Sequence, residues 1–257
     1  EMCDDNWGNV RRVPNAKERK HPGGWGLYYH VDYVGAPRNS KELNCTPIQN
    51  MWEQLSLSYE NGIDKLWILN VGALKPMEYP IQLFLDLAWK GTDKYTPTTL
   101  IPNHTAPFCA TVVGQDEAEE AARILNKYCK LADRVTPEML DAKTYDLTSG
   151  EWAHAVDEWK TLEMHALRQY ARICPKARDA YFQLILFPVQ FMGNLYYMYY
   201  SQAMNNALYK KGDAAMNIWA DRCEKAFKRD GELMRQYNKD IAGGKWDGMM
   251  IQKHIGY

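Results

Sequence analysis

Asp4, Asp5 and Asn6 close a short strand-like run at the start of the chain, although carboxylate and amide side chains are poor strand formers. A second run, Tyr28-Tyr29-His30-Val31-Asp32-Tyr33-Val34-Gly35, carries a histidine, an aspartate and a tyrosine at its end. A third, Trp67-Ile68-Leu69-Asn70-Val71-Gly72, ends in Asn70, with Lys75 just beyond. Polar side chains at the ends of successive strands are what an α/β barrel gathers at one rim to form an active site. Along the second strand Tyr28, His30 and Asp32 alternate onto one face; where the register breaks, His30 and Tyr33 both reach a pocket. Lys75, Arg11 and Arg12 suit an acidic substrate, arginine through a two-pronged contact to a carboxylate. Asp4, His30 and Asp32 are also types that ligate zinc or manganese, but no pair of histidines at ligand spacing supports a metal. The bland alternatives are an Asx turn at Asp4–Asn6, a satisfied core histidine at His30, and solvated surface charge for the three cations.

The elements that must hold these residues are legible in the pattern. Thr46 to Glu60 reads as a helix, with Thr46 as cap, Pro47 at the first position and Gly62 as stop. Ile48, Met51, Trp52, Leu55 and Tyr59 mark its buried face. Lys65 to Val71 is a continuous run, as in a parallel strand covered on both faces. Strand, helix and strand with short loops make a βαβ unit, and Pro76 to Trp89 continues as helix. Thr- and Pro-rich sequence from about 92 to 113 suggests a domain boundary. Beyond it the pattern is helical: Asp116 to Leu131, a helix opened by Thr136-Pro137-Glu138, and a long one capped by Ser149 and broken at Cys174-Pro175. Pro188 is expected to interrupt the next helix, and Gly212-Asp213 and Asp230-Gly231 to form turns. The expected fold class is therefore α/β plus all-α: three βα units over residues 1–105, then a bundle of five or six helices over 106–257.

Composition narrows the function. A net charge of -1 over 257 residues gives no concentrated basic face for nucleic acid. No run approaches the ~20 apolar residues of a membrane span. Six cysteines without a CxxC pair argue against a zinc ribbon and a disulfide scaffold, and most are expected to be buried small apolar residues. The 9 Trp and 17 Tyr are mostly core, with sugar-ring platforms as the alternative. No leader sequence is visible, and an opening directly on strand-like residues leads us to expect native chain before Glu1.

Asp4-Asp5-Asn6-Trp7-Gly8-Asn9-Val10-Arg11-Arg12, Gly26 to Gly35, Leu66 to Gly72 and Leu74-Lys75-Pro76-Met77-Glu78 resemble glycoside hydrolase family 115, the xylan α-glucuronidases. Trp246 to Tyr257 resembles the end of that family's helical domain. The resemblance implies a longer enzyme, periplasmic or extracellular, with an N-terminal domain, a (β/α)8 barrel, a helical bundle and a C-terminal β-sandwich. This chain would be the last three barrel units and the bundle, with the remaining segments as partners. The implied reaction is hydrolysis, with inversion, of the α-1,2 bond joining glucuronic acid or its 4-O-methyl ether to xylose in glucuronoxylan or its oligosaccharides. No cofactor is implied, and a homodimer is allowed. By motif, Asp4 corresponds to a catalytic carboxylate that acts on a water or orients the catalytic pair. Asn6, His30 and Tyr33 correspond to substrate-binding positions, and Arg11, Asn70 and Lys75 are further binding candidates. Inverting glycosidases use two carboxyl groups roughly 6.5–9.5 Å apart. Only one is offered with assurance here, so the segment alone is expected to be inactive. The competing expectations are a non-catalytic helical binding or scaffold module, and a metal-dependent hydrolase.

Overall fold

A computed structural model describes residues 1–36 and 38–256. Tyr257, the last residue of the Trp246–Tyr257 motif, lies outside the described residues. The fold is mixed α/β, and the chain forms two compact units, Glu1–Arg134 and Val135–Tyr257.

In the first unit, β1 (Met2–Cys3), β2 (Gly26–His30) and β3 (Leu66–Asn70) form a parallel sheet in the order β1-β2-β3. Leu27 pairs with Met2 on one side and Trp67 on the other, and His30 pairs with Asn70. The polar ends of the three strands therefore lie at one end of the sheet, as the sequence predicts. Between β2 and β3 runs α1 (Ile48–Glu60); α2 (Glu78–Lys90) follows β3. The helix face bearing Tyr79, Leu83, Phe84 and Leu87 is buried. Phe84 lies 6.2 Å from the Tyr29 ring and 5.8 Å from Trp67, which closes one face of the sheet. The opposite face, with Leu66 58% and Ile68 36% exposed, is open. The expectation that the third strand is covered on both faces therefore does not hold: β3 is an edge strand with helix on one side only.

α1 begins one residue later than expected. Pro47 is extended (ψ 127°) and stands at the cap, where its ring offers no side-chain acceptor, and Asn44 takes the backbone N–H of Thr46 at 3.1 Å. Ile48, Met51 and Leu55 are buried as the periodicity predicts, but Tyr59 is exposed. The boundary expected at residue 105 falls inside the first unit, which extends through α3 (Ala106–Val113) and α4 (Ala118–Ala132). The physical ties are specific. Tyr79 of α2 bonds Thr105 at 2.6 Å and its ring lies 5.0 Å from Phe108, while Asn44 reaches Cys129 of α4 at 3.6 Å.

The second unit contains α5 (Glu151–Arg172), α6 (Arg178–Tyr181), α7 (Phe187–Lys211) and α8 (Met216–Arg235). Thr136-Pro137-Glu138 forms a single turn rather than a helix, and Glu138 is held instead by Gln252 at 2.5 Å. Pro188 does not break the chain direction. It sits near the start of α7, in backbone that is already right-handed helical through Leu186 and Phe187, and the widened turn at Phe182–Leu186 just before it gives its ring room. Asp230-Gly231 is not a turn but lies inside α8. Trp152 and Trp159 of α5 pack against Tyr196 of α7, ring centroids 6.2 and 5.5 Å apart. Asn194 donates to the Ala226 carbonyl at 2.8 Å and so ties α7 to α8. All six cysteines are free, and only Cys109 and Cys129 are buried, so most are not the core residues expected. No helix among the described residues is long and apolar enough to cross a membrane.

Candidate functional site

β1 ends at Cys3, so Asp4 is the first residue free to turn its side chain along the strand ends. Asp4 is 2% exposed, and three donors converge on its carboxylate. Oδ1 faces His30 Nδ1 at 2.6 Å and accepts the Asn6 N–H at 3.1 Å; Oδ2 accepts the His30 N–H at 2.9 Å. A carboxylate only accepts, so a neutral His30 carries its proton on Nδ1 and leaves Nε2 as the available ring atom. The Tyr28 ring stands edge-on to His30 at 4.9 Å, and its hydroxyl accepts from Asn70 Nδ2 at 2.8 Å. One hydrogen-bonded and packed series, Asp4–His30–Tyr28–Asn70, thus crosses all three strand ends.

The loop after Asp4 is built tightly. Asn6 takes a left-handed backbone (φ 69°), and Asp5 accepts the Trp7 N–H at 2.9 Å and the Asn9 N–H at 3.1 Å. Burial pushes the Asp5 carboxyl up, but these hydrogen bonds and that of the Asn9 amide outweigh it and hold it below its ordinary range. Trp7 lies 5.9 Å from Tyr33, ring to ring. Tyr33 pairs with Ser40 across its own loop, and its hydroxyl donates to the Ala36 carbonyl at 3.0 Å.

Of the residues singled out from sequence, Asp4, Asn6, His30 and Asn70 come together directly, and Tyr33 joins through Trp7. Lys75 forms an ion pair with Glu78 at the start of α2. Arg11 donates its backbone N–H to the Cys3 carbonyl at 3.2 Å, and its side chain is exposed. Two neighbours enter the site that motif reasoning left out. Tyr28 was visible on the same alternating face as His30. Asp32 is buried, its Oδ1 has no hydrogen-bond partner, and its carboxylate fills the space beside Gly72 that any larger residue would take. Burial pushes the Asp32 carboxyl above its usual range, against the opposite pull of His30 and Lys41. Among the described residues no group of three or more His, Cys, Asp or Glu side chains is placed to hold a metal ion.

This geometry can orient an imidazole and present amide and hydroxyl groups to a polar ligand. No curated protein matches the sequence. A solved structure described as a novel family GH115 4-O-methyl-α-glucuronidase, BtGH115A, with specificity for decorated arabinogalactans, is similar to this chain. The two are 26% identical with a TM-score of 0.79 over 97% of this chain, which spans 33% of that one. The family model of glycosyl hydrolase family 115 matches residues 2–139, the part that carries the sheet and every residue of the strand-end cluster. On that match the chain belongs to glycosyl hydrolase family 115.

Proposed function

We propose that this chain forms part of the active-site wall of a glycoside hydrolase that removes α-1,2-linked glucuronic acid, or its 4-O-methyl ether, from glucuronoxylan with inversion. In this reading the sheet is the last three units of a (β/α)8 barrel within a longer enzyme, followed by a helical bundle. The observation that carries it is the Asp4–His30–Tyr28–Asn70 series across three parallel strand ends. The open sheet face supports the barrel as well: Leu66 and Ile68 lie on the His30 side of the sheet, where a closed barrel would bury them.

The roles follow from the bonds. Asp4 is buried and both its oxygens face His30 or the Asn6 backbone, so in this reading it orients His30 rather than activating a water. His30 Nε2 and the Asn6 side chain bind sugar hydroxyls or the uronic carboxylate. The acid and base come from residues outside this cluster. A second polysaccharide is favoured by one observation: the similar solved enzyme is specific for decorated arabinogalactans.

The test is release of (4-O-methyl)-glucuronic acid from glucuronoxylan and from glucuronidated arabinogalactan by the full-length protein. Asp4→Asn and His30→Ala should each lower turnover at least about a hundredfold while the fold melts normally, because the ring loses its orientation or is absent. The 257 residues alone should release nothing. Unchanged turnover in both variants would leave a non-catalytic scaffold as the better account, and loss of activity on chelation would favour a metal-dependent hydrolase.

A further inference from the structure

The backbone around Trp7 is tied on both sides, yet the residue is 44% exposed. Its own backbone N–H is bonded to Asp5 Oδ1, and Asp5 N–H returns to the Asn9 carbonyl at 2.8 Å, so residues 5–9 close on themselves. The far side of the loop is fixed to β2, where the Tyr29 hydroxyl donates to the Gly8 carbonyl at 3.0 Å. Gly8 has φ +83°, and a Cβ there would stand 2.8 Å from that hydroxyl, so the loop admits only glycine without shifting. The result is a braced loop backbone that carries a partly exposed indole, set 5.9 Å from the Tyr33 ring at an interplanar angle of 49°. Trp89, near the end of α2, is more exposed still, but no strand-end loop holds it.

We infer that Trp7, backed by Tyr33, is the stacking platform for the pyranose that bears the leaving group, the backbone sugar of the polysaccharide next to the uronic acid. The inference rests on the proposed function and adds the binding site for the other half of the bond. The two halves need different chemistry. A uronic acid offers a carboxylate and hydroxyls, which match Asn6, His30 and Asn70. A backbone pyranose offers a face of axial C–H groups, which match an aromatic plane. The exposures agree with that order from inside to outside: the His30 side chain is 15% exposed, the Trp7 residue 44%. The shallow V between the two rings gives the sugar a floor and a side wall, which sets where the chain backbone runs without any hydrogen bond to it.

The experiment uses the full-length protein in three forms: wild type, Trp7→Ala and Trp7→Phe. Two readings are taken beside KM for a glucuronidated oligosaccharide. One is inhibition by the undecorated backbone oligosaccharide; the other is inhibition by free glucuronic acid. Trp7→Ala should raise KM and the inhibition constant of the backbone oligosaccharide about tenfold, the worth of one stacked ring. The inhibition constant of glucuronic acid should stay within about twofold, and Trp7→Phe, which keeps a flat ring, should restore most of the loss. Changes below about twofold in Trp7→Ala overturn the inference, as does an equal loss of glucuronic acid binding, which would put the ring on the uronic-acid side. A Trp7→Phe that melts normally but binds as weakly as Trp7→Ala also overturns it. If wild type releases no uronic acid from either polysaccharide, the proposed function itself fails, a result distinct from these.

Discussion

The His30 ring takes its orientation from a buried carboxylate beside it. Asp4 spends both oxygens on His30 and the Asn6 backbone, and this fixes which ring nitrogen is left over. Asp32 is the opposite case, a buried carboxylate with an oxygen that nothing satisfies. Its pKa is raised by burial, so the folded state holds a proton that the unfolded state has already released. The sign of the pH effect follows. Below the unfolded value, about 3.9 for Asp, both states are protonated and the group is neutral to stability. As pH rises through the folded value the buried charge becomes a penalty that persists above it. Asp32→Asn should therefore leave the melting temperature unchanged at acid pH and raise it at neutral pH, as read by thermal melts across that range. Equal shifts at both ends would show that packing, not charge, decides. The candidate residues at this scale were legible because Asp and Asn are out of place at strand ends. The contact of Asp4 with His30 was not, because it joins positions 26 apart that only the parallel register brings to 2.6 Å.

Elements were legible where a single chain segment decides its own structure. Gly62 stops α1 at φ +83°, and Gly212 closes α7 in the left-handed region at φ 69°. They were misread where a distant group overrides the local signal. Asp230-Gly231 has the composition of a turn, but the Asp230 carboxylate is taken by His254 Nε2 at 3.1 Å and the helix runs on through it. Gly231 then sits in a helix interior with nothing within 4 Å of where a Cβ would go. Gly231→Ala should stabilise the protein by about 0.5–1 kcal/mol, since the alanine gives up less backbone freedom on folding. Urea unfolding measures it, and a destabilisation would mean that the helix is strained at this point.

At the scale of the whole chain, pattern reasoning gave an α/β part and a helical part but set the divide some thirty residues early, judged from 105 against Arg134. Thr and Pro mark irregular backbone, and irregular backbone is not always a boundary. Here the Thr- and Pro-rich stretch contains Thr105, buried against Tyr79 within one unit. The edges of the sheet are the other feature that composition cannot show. Beside β1 the chain folds back, Val10 against Asp4 and the Arg11 N–H on the Cys3 carbonyl, so part of that margin is already occupied. β3 pairs only with β2 among the described residues, so the main-chain groups along the outer side of Leu66–Asn70 have no ladder.

That difference gives the sheet a direction of growth. Any further strand, from whatever polypeptide, meets a continuous template beside β3 and a partly filled one beside β1. Samples of these 257 residues should accordingly become adhesive through one seam. Amide hydrogen exchange along Leu66–Asn70 is expected to slow as protein concentration rises, while exchange at Met2–Cys3 stays the same.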